Sequence, residues 1–237
     1  MRKLIGLLIV GALLSVGKLV HADTFLDGFV AYNRGDYATA LKLFRPMAEQ
    51  GDAGAQSYLG EMYYDGRGVL QDYKEAVRWY RLSADQGDAG AQIRLGWMYR
   101  VGRGVPQDYR EAVRWFRLSA EQGYAPAQVE LGESYYDGRG VLKDYGEALK
   151  WWRLAIELSD AQHNLGVMYG EGLGVAQDYV RAHMWLNLAG SKATSDTGKG
   201  SRDRRDVLAR QMTPAQIAQA QEMARKCQQS NFKDCGW

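Results

Sequence analysis

The histidines are the first residues to test for chemistry, and their spacing does not form a catalytic or metal-binding motif. The chain has three histidines, of which His163 and His183 follow the N-terminal segment. Neither belongs to a His-Glu-x-x-His motif, and no histidine–cysteine cluster has zinc spacing. In neighbouring stretches of similar sequence, ordinary residues hold both positions. We therefore predict packing or surface roles for both, and no metal, cofactor or catalytic residue.

Cys227 and Cys235 are the two cysteines of the chain. In an exported protein, two cysteines this close together favour a disulfide, which would tie the tail of the chain to its last helix. Free thiols are the alternative. A metal site with two thiol ligands is disfavoured because no histidine lies nearby.

Ser230-Asn231-Phe232-Lys233 has the Ser-x-x-Lys spacing of penicillin-recognising enzymes. No Ser-Asp-Asn or Lys-Thr-Gly motif accompanies it, so we interpret the match as chance. The match keeps a cell-wall or β-lactam-processing hydrolase as the alternative function. Regulation of a cell-wall hydrolase by direct contact is a further alternative.

Four aspartates recur at one position of a repeated sequence, which does not suit paired acid–base catalysis. Each stands a whole repeat from the next, and a glutamate follows the first three of them by three residues. This spacing is a close variant of the capping box, and a carboxylate there also suits the positive end of the helix dipole. We predict helix-capping roles for Asp72, Asp108, Asp144 and Asp178.

These aspartates belong to a repeated unit of two helices. In the first helix Ala55, Leu59 and Met62 share one face, and the turn at 66–68 has the Gly-x-Gly pattern that ends helices. The opening Ala-Gln pair recurs at steps of 36, 36 and 34 residues. A period of this length predicts a solenoid of stacked units. Gly60 recurs in each unit in mid-helix, where glycine is costly, and this predicts close approach of a neighbouring helix.

In these residues the chain resembles the Sel1-like repeat family, which is related to the tetratricopeptide repeat. The pattern AQ-x2-LG-x2-Y-x2-G-x-GV-x2-DY-x2-A-x2-W occurs in four tandem copies, which begin at positions 55, 91, 127 and 161. The resemblance implies an all-α fold, an α/α solenoid wound as a right-handed superhelix. It also implies a protein-binding scaffold of the kind often found in bacterial envelope or signalling proteins.

The predicted domain organisation follows from these patterns. The polar run GSKATSDTGKGS has no apolar period and predicts a loop. Thr213-Pro214 is a strong helix start. We predict a signal peptide at 1–22, a degenerate N-terminal repeat at 23–51, four Sel1-like repeats at 52–190, a flexible linker at 191–201 and a C-terminal helical cap at 202–237.

The first 22 residues have the features of a secretory signal, with basic residues, an apolar run and small residues before Asp23. The apolar run is shorter than the roughly 20 residues that span a membrane. We therefore expect cleavage after Ala22 and a periplasmic or secreted protein without a stable membrane anchor. Three basic residues and no acid would leave, which turns the formal net charge of +2 into −1. The charge thus gives no reason to expect nucleic acid as a partner.

The residues that differ between copies are the candidates for partner binding, because the shared residues hold one repeat to the next. On the first helix, the positions of Ser57, Glu61 and Tyr64 lie opposite the buried stripe. Aromatic residues and arginine dominate protein interfaces. We predict a non-catalytic adaptor that binds a protein or peptide of unknown identity in a groove lined by the first helices, through Glu61, Tyr64, Trp97, Arg100, Glu133 and Tyr136.

Overall fold

All regular secondary structure in the part of the chain that the structure describes is helical. The computed structural model describes residues 23–191 and 196–235, and the predicted signal peptide lies outside them. The helices are α1 (23–33), α2 (Tyr37–Glu49), α3 (Ala53–Asp65), α4 (Tyr73–Asp85), α5 (Ala89–Val101), α6 (Tyr109–Glu121), α7 (Ala125–Asp137), α8 (Tyr145–Leu154), α9 (Ser159–Glu171), α10 (Tyr179–Ser191), α11 (Asp196–Ala209) and α12 (Pro214–Gln229).

Each repeat is a helix pair whose turn is determined by local chemistry. The first helix of a pair, such as α3, ends at a glycine in the left-handed conformation, and the N–H of Gly66 (φ 71°) donates to the carbonyl oxygen of Met62. The second helix begins after a capping aspartate: Asp72 Oδ1 accepts from the N–H groups of Lys74 (2.8 Å) and Glu75 (3.1 Å). The predicted capping role is confirmed at all four positions, Asp72, Asp108, Asp144 and Asp178.

The described residues form two compact units, divided between Gln107 and Asp108. Unit 1 contains α1–α5, and the core of its first repeats is built around Phe44, Leu59 and Met62, all fully buried. Unit 2 contains α6–α12, and its core includes Trp152 and Trp185. Within each unit successive helices pack on one another, as the repeats of an α/α solenoid do, so the predicted all-α class is confirmed.

The glycine in the middle of each first helix permits close packing on the second helix. A Cβ atom at Gly60 would lie 2.7 Å from Cδ1 of Tyr80, and one at Gly166 would lie 2.7 Å from Cγ of Leu186. Neither distance is tolerable for a carbon contact. The prediction of close helix approach at this glycine is therefore confirmed.

The second glycine of the turn joins one repeat to the previous one through the main chain. Gly104 has φ +72°, and a Cβ there would overlap the carbonyl oxygen of Tyr73, the first residue of α4. Gly140 meets Tyr109 of α6 in the same way. These positions thus require glycine both for conformation and for space.

The prediction of a flexible linker over 191–201 is wrong for most of its length. Ser191 is the last residue of α10, residues 196–201 form the start of α11, and 192–195 lie outside the described residues. The start of α11 packs against α9 and α10 through small and polar side chains, so its sequence shows no amphipathic pattern. Arg202 Nη1 donates to the carbonyl oxygen of Gly190 (2.9 Å), and Thr197 Oγ1 donates to Asp160 Oδ1 (2.6 Å).

The last helix closes unit 2. Thr213 and Gln216 form a full capping box at the start of α12, and Ala220 and Ala224 are buried with the core of unit 2. Cys227 forms a disulfide with Cys235 at the end of this helix, and both are buried. Within the described ranges, 23–191 and 196–235, no helix combines the length and the apolar character of a membrane span.

Candidate partner-binding pockets

Three of the predicted partner-binding residues line one pocket in unit 1, which we call the arginine pocket. Tyr64 comes from α3, whereas Trp97 and Arg100 come from α5. The pocket has a volume of about 220 Å³. Its lining consists of Tyr64, Tyr80, Arg94, Trp97, Met98, Arg100, Val101 and Arg103.

The floor of the arginine pocket is aromatic and rigidly packed. Tyr80 of α4 is 1% exposed, and burial raises the pKa of its hydroxyl strongly, so that it stays neutral at all physiological pH values. The ring of Tyr64 packs against that of Tyr73, with the centroids 5.3 Å apart. The floor is therefore positioned before any ligand arrives.

Guanidinium groups form the rim of the pocket, and aromatic rings hold two of them. Arg103 Nη1 donates to the Tyr64 hydroxyl (2.6 Å), and its guanidinium lies 5.8 Å from the centroid of that ring. Arg94 lies 5.2 Å from the centre of the Trp97 ring. Glu61 stands beside the pocket and pairs with Arg94 at 3.9 Å. The structure thus places Glu61 as a partner of the rim and not in the lining.

Glu133 and Tyr136 line a second pocket, in unit 2, which we call the histidine pocket. It has a volume of about 280 Å³. The ring of Tyr136 lies 5.6 Å from that of Trp152, whose Nε1 donates to the carbonyl oxygen of Val129 (3.2 Å). The other lining residues are Asp137, His163, Asn164, Val167 and Arg204. The six predicted residues are therefore divided between the units.

The two pockets occupy equivalent places in the repeat. Each lies between the first helices of successive repeats, over a large aromatic residue of the second helix, which is Tyr80 in one pocket and Trp152 in the other. Tyr136 stands at the repeat position of Tyr64, so the floor is aromatic in both. The walls differ, because Asn164 and Val167 replace Arg94 and Trp97. Similar floors with different walls are what a variable binding surface requires.

The outer face of the first helix, which the sequence predicted to be free for partner binding, is only partly exposed. At the position of Ser57, Ile93 and Val129 are 2% and 6% exposed. A first helix inside a stack has neighbours on more than one side, so only part of its outer face remains open. The open part consists of the Glu61 and Tyr64 positions, which are half-buried in every described copy of the repeat that has a side chain there.

His163 and Ser201 form a hydrogen-bonded pair beside the histidine pocket, and the sequence did not predict it. His163 Nδ1 lies 2.7 Å from Ser201 Oγ, whose own hydrogen is donated to the carbonyl oxygen of Thr197 (2.7 Å). A hydroxyl has one hydrogen, so Nδ1 must be the donor to Ser201. The serine is fully buried and its proton faces the main chain, which is not the arrangement of an activated nucleophile. Burial, together with the charge of Arg204, lowers the pKa of His163.

Arg204 of α11 is another lining residue that the sequence did not predict. It forms an ion pair with Glu171 at the end of α9 and closes one side of the histidine pocket. Residue 204 lies in the predicted helical cap at 202–237, but that prediction did not indicate which side chain of the cap would reach the repeats.

The Ser-x-x-Lys match has a structural explanation in the turn after α12. Ser230 Oγ donates to the carbonyl oxygen of Cys227 (2.9 Å) and accepts from the N–H of Asp234 (2.9 Å). The hydroxyl thus closes the loop that the disulfide spans. In the part of the chain that the structure describes, no group of three or more His, Cys, Asp or Glu residues is placed to hold a metal ion.

Comparison with protein families gives one clear match. The sequence model of the Sel1 repeat matches residues 25–52, 53–88, 89–124, 125–160 and 159–193. These five segments cover most of the chain and include the one that the sequence identified as a degenerate N-terminal repeat.

The structure is similar to those of other proteins with this repeat. A Sel1 repeat protein from Oxalobacter formigenes shares 34% identity and a TM-score of 0.68, with 73% of this chain and 72% of that chain covered. A protective antigen of uropathogenic Escherichia coli with an SLR fold shares 31% identity and a TM-score of 0.71, over 92% of this chain and 50% of that chain.

Among characterised proteins, the chain is similar to a negative regulator of exopolysaccharide production from Rhizobium leguminosarum bv. viciae. The two share 44% identity over 50 residues, which are 21% of this chain and 19% of the relative. The match therefore spans about a fifth of that regulator, which amounts to little more than one repeat.

Proposed function

Because the chain belongs to the Sel1 repeat family, whose repeats are generally protein–protein interaction modules, we propose that it is a non-catalytic adaptor of the bacterial cell envelope. In this proposal it binds a protein or peptide partner in the pockets between successive first helices. The arginine pocket, with its rigid aromatic floor and charged rim, is the observation that carries the proposal.

Two properties of this pocket suit a protein partner. It is open at the surface and has aromatic and arginine side chains, which are the residue types that contribute most to protein interfaces. Its floor is fixed by packing, so binding would cost little ordering of the rings. Tyr64, Trp97 and Arg100 come together there from two helices.

Export is the second part of the proposal. It is supported by the signal-like residues 1–22 and by the disulfide between Cys227 and Cys235, since disulfides persist in oxidising compartments. The exported form would start at Asp23. Mass measurement of the protein recovered from a periplasmic extract would give this N-terminus directly.

Crosslinking in intact cells tests the adaptor function. A photoreactive residue replaces Trp97, and irradiated adducts are identified by mass spectrometry. The same residue at Arg78, which is exposed on α4 away from the pocket, is the matched control. We expect one defined protein adduct at position 97 that is absent at position 78. Equal adducts at both positions, or none at either, would contradict the proposal.

A regulatory role is the second candidate function. It is favoured by the similarity of one repeat-length segment to the regulator of exopolysaccharide production. In this version the partner would itself be an enzyme or regulator of envelope polysaccharide, such as a cell-wall hydrolase. The same crosslinking experiment identifies the partner and so separates this version from a general adaptor.

A cell-wall or β-lactam-processing activity is the catalytic alternative. The hydroxyl of Ser230 is engaged in the turn after α12, and no lysine contact activates it in the described residues. Turnover of nitrocefin by the purified protein, lost in Ser230→Ala, would replace the adaptor proposal with a catalytic one.

A further inference from the structure

The residues that line the arginine pocket include several arginines. Three of its eight lining residues are arginines and none is acidic. Glu61 is one acid near the pocket, and it meets Arg94 at 3.9 Å, which is near the limit of an ion pair and involves a partly exposed arginine. Such a pair is weak in water. A ligand carboxylate that replaced Glu61 as the partner of Arg94 would therefore cost little free energy.

Arg103 is the guanidinium best prepared to receive an anion. The Tyr64 hydroxyl accepts one of its hydrogen bonds, and the rings of Tyr64 and Tyr73 lie under it at 5.8 and 5.4 Å. The side chain is thus held in place by two tyrosines. A guanidinium has five N–H donors in a rigid fork that fits a carboxylate with two parallel bonds. Fixing the fork beforehand lowers the entropy cost of that contact.

The rest of the lining is apolar. Trp97, Met98 and Val101 form the wall that α5 contributes, and Val101 is 52% exposed although it is a large apolar residue. A volume of about 220 Å³ admits one or two side chains and not a helix. The site therefore combines an anion-binding rim with a small apolar wall.

We infer that the arginine pocket recognises a carboxylate next to an apolar side chain in a peptide segment of the partner. This inference rests on the proposed adaptor function and adds the chemistry of the ligand. The carboxylate binds Arg103 and Arg94 at the rim, while the apolar neighbour contacts Trp97 and Val101. The carboxylate comes either from an aspartate or glutamate side chain or from the end of a chain.

The histidine pocket supplies an internal comparison. The repeat that contributes α9 to this pocket has Asn164 and Leu173 at the positions of Arg94 and Arg103, and of these two Asn164 lines the pocket. The repeat thus accommodates both replacements at these positions in its folded state. Arg94→Asn and Arg103→Leu are therefore test variants that the chain itself suggests.

Selection from a random peptide library displayed on phage tests the inference with the full exported chain. Enrichment of Asp or Glu next to an aliphatic or aromatic residue is the expected result for the wild type. For a selected peptide, replacement of its acidic residue by the amide should weaken binding about tenfold or more, because a bond between charged groups is lost. Fluorescence polarisation of the labelled peptide measures this change.

The protein variants give the matched comparison. Arg103→Leu should weaken binding of the acidic peptide about tenfold, whereas Arg103→Lys should keep part of the affinity. Arg139 occupies the repeat position of Arg103 but does not line the arginine pocket. Arg139→Leu is therefore the control and should leave peptide binding unaltered. Peptides with an amidated end and an internal acid, or with a free end and no internal acid, distinguish the two sources of the carboxylate.

Three outcomes would overturn the inference: no enrichment of acidic residues, equal affinity for the acid and amide peptides, or unchanged affinity in Arg103→Leu. If one of these outcomes is found while a protein adduct still forms at position 97 in cells, the carboxylate preference is rejected but the adaptor function is retained. Loss of both the adduct and the peptide binding would remove the two together.

Discussion

Two histidines in unit 2, His183 and the half-buried His163, lie in surroundings that favour their neutral form. His183 of α10 is 3% exposed, and its Nδ1 has no hydrogen-bond partner among the described residues. Burial, with the charge of Arg205 as a smaller cause and Asp206 opposing it, lowers the pKa of His183 below its ordinary value of 6.5. The pKa of His163 is lowered in the same direction.

We predict that this burial makes the protein less stable in mild acid. The unfolded chain binds more protons than the folded one as the pH falls below about 6.5, so the free energy of unfolding should decrease there until the folded-state pKa is passed. His183→Leu should flatten this decrease and raise stability at pH 7 by about 1 kcal/mol, since it removes an unpaired polar atom. The repeat already has Leu149 at this position.

Urea denaturation between pH 7 and pH 5 measures both effects. His163→Gln is the companion variant and should flatten the remaining part of the slope. The surface carboxylates Asp36 and Glu222 have lowered pKa values and titrate below this range, so they do not obscure it. Identical slopes for wild type and His183→Leu would show that the histidine is not responsible.

The turn glycines provide a second prediction at the scale of one residue. Gly104 and Gly87 both have positive φ angles, of +72° and +95°, but a Cβ at Gly104 would overlap the main chain at Tyr73 while one at Gly87 meets nothing within 4 Å. Gly87→Ala should cost about 1 kcal/mol from conformation alone. Gly104→Ala should cost about 3 kcal/mol or more because overlap adds to the conformational cost.

The two variants are compared by chemical denaturation under one condition. The difference between their free energies of unfolding isolates the steric term, since the conformational term is common to both. Equal costs would mean that the junction between repeats relaxes to admit a methyl group.

At the scale of the element, the disulfide after α12 offers a test of how the cap is held. Reduction, or the double variant Cys227→Ala and Cys235→Ala, removes a loop of about nine residues and should cost about 2.5 kcal/mol. The loss should appear in unit 2, because α12 packs on α10 and belongs to its core. Thermal unfolding with and without reductant gives the shift, and tryptic cleavage in α12 should become faster.

Helices of the repeats could be predicted from sequence because local and tertiary signals agree in them. The aspartate caps, the Gly-x-Gly turns and the apolar stripe all point to the same boundaries. Where the step between repeats is 34 residues instead of 36, α8 ends at Leu154 and is three residues shorter than the other second helices of the repeats. Proline usually ends or bends a helix, but α2 runs through Pro46 to Glu49.

The first part of α11, residues 196–201, was predicted as a linker, whereas its second part lies in the predicted helical cap at 202–237. The buried positions of α11 are filled by Gly198, Ser201 and Leu208, which do not form an apolar stripe. Contacts with α9 and α10 supply the partners that its own sequence lacks. A run of small polar residues therefore gives the same signal for a loop and for a helix that packs tightly against others.

For the whole molecule, the prediction concerns how far a local change is felt. In stacked repeats, the total stability is close to the sum of the intrinsic stability of each repeat and the interaction energy of each repeat with its neighbours. Phe44→Ala removes a fully buried ring from the first core and should cost about 3–5 kcal/mol there. Hydrogen exchange should accelerate in α2 and α3 and stay near wild-type rates in α9 and α10.

The reciprocal variant is Leu165→Ala, at a fully buried position in unit 2. It should accelerate exchange in α9 and α10 and spare α2 and α3. Uniform acceleration in either variant would mean that the described helices unfold as one cooperative body.

Three of the six predicted partner-binding residues line one pocket, but the sequence did not predict how the six would be grouped. Variation between copies identified Tyr64, Trp97 and Arg100, which meet in one pocket of unit 1. The rim residue Arg103 lies in a turn and falls outside the helical period that the prediction used. The contribution of Arg204 depends on how α11 packs against the repeats, which the predicted helical cap at 202–237 did not specify.

The contact between Gly104 and Tyr73 also bears on how such a chain arises. At this point a glycine approaches main-chain atoms of the previous repeat, so this part of the junction does not depend on side chains that differ between repeats. A gene segment that encodes 36 residues, such as 53–88, could be duplicated or deleted by recombination, and the new junction would form from the same atoms. Lineages could thereby lengthen or shorten the protein in single genetic events. Each added copy would bring a further set of pocket-lining positions at which new binding specificity can evolve.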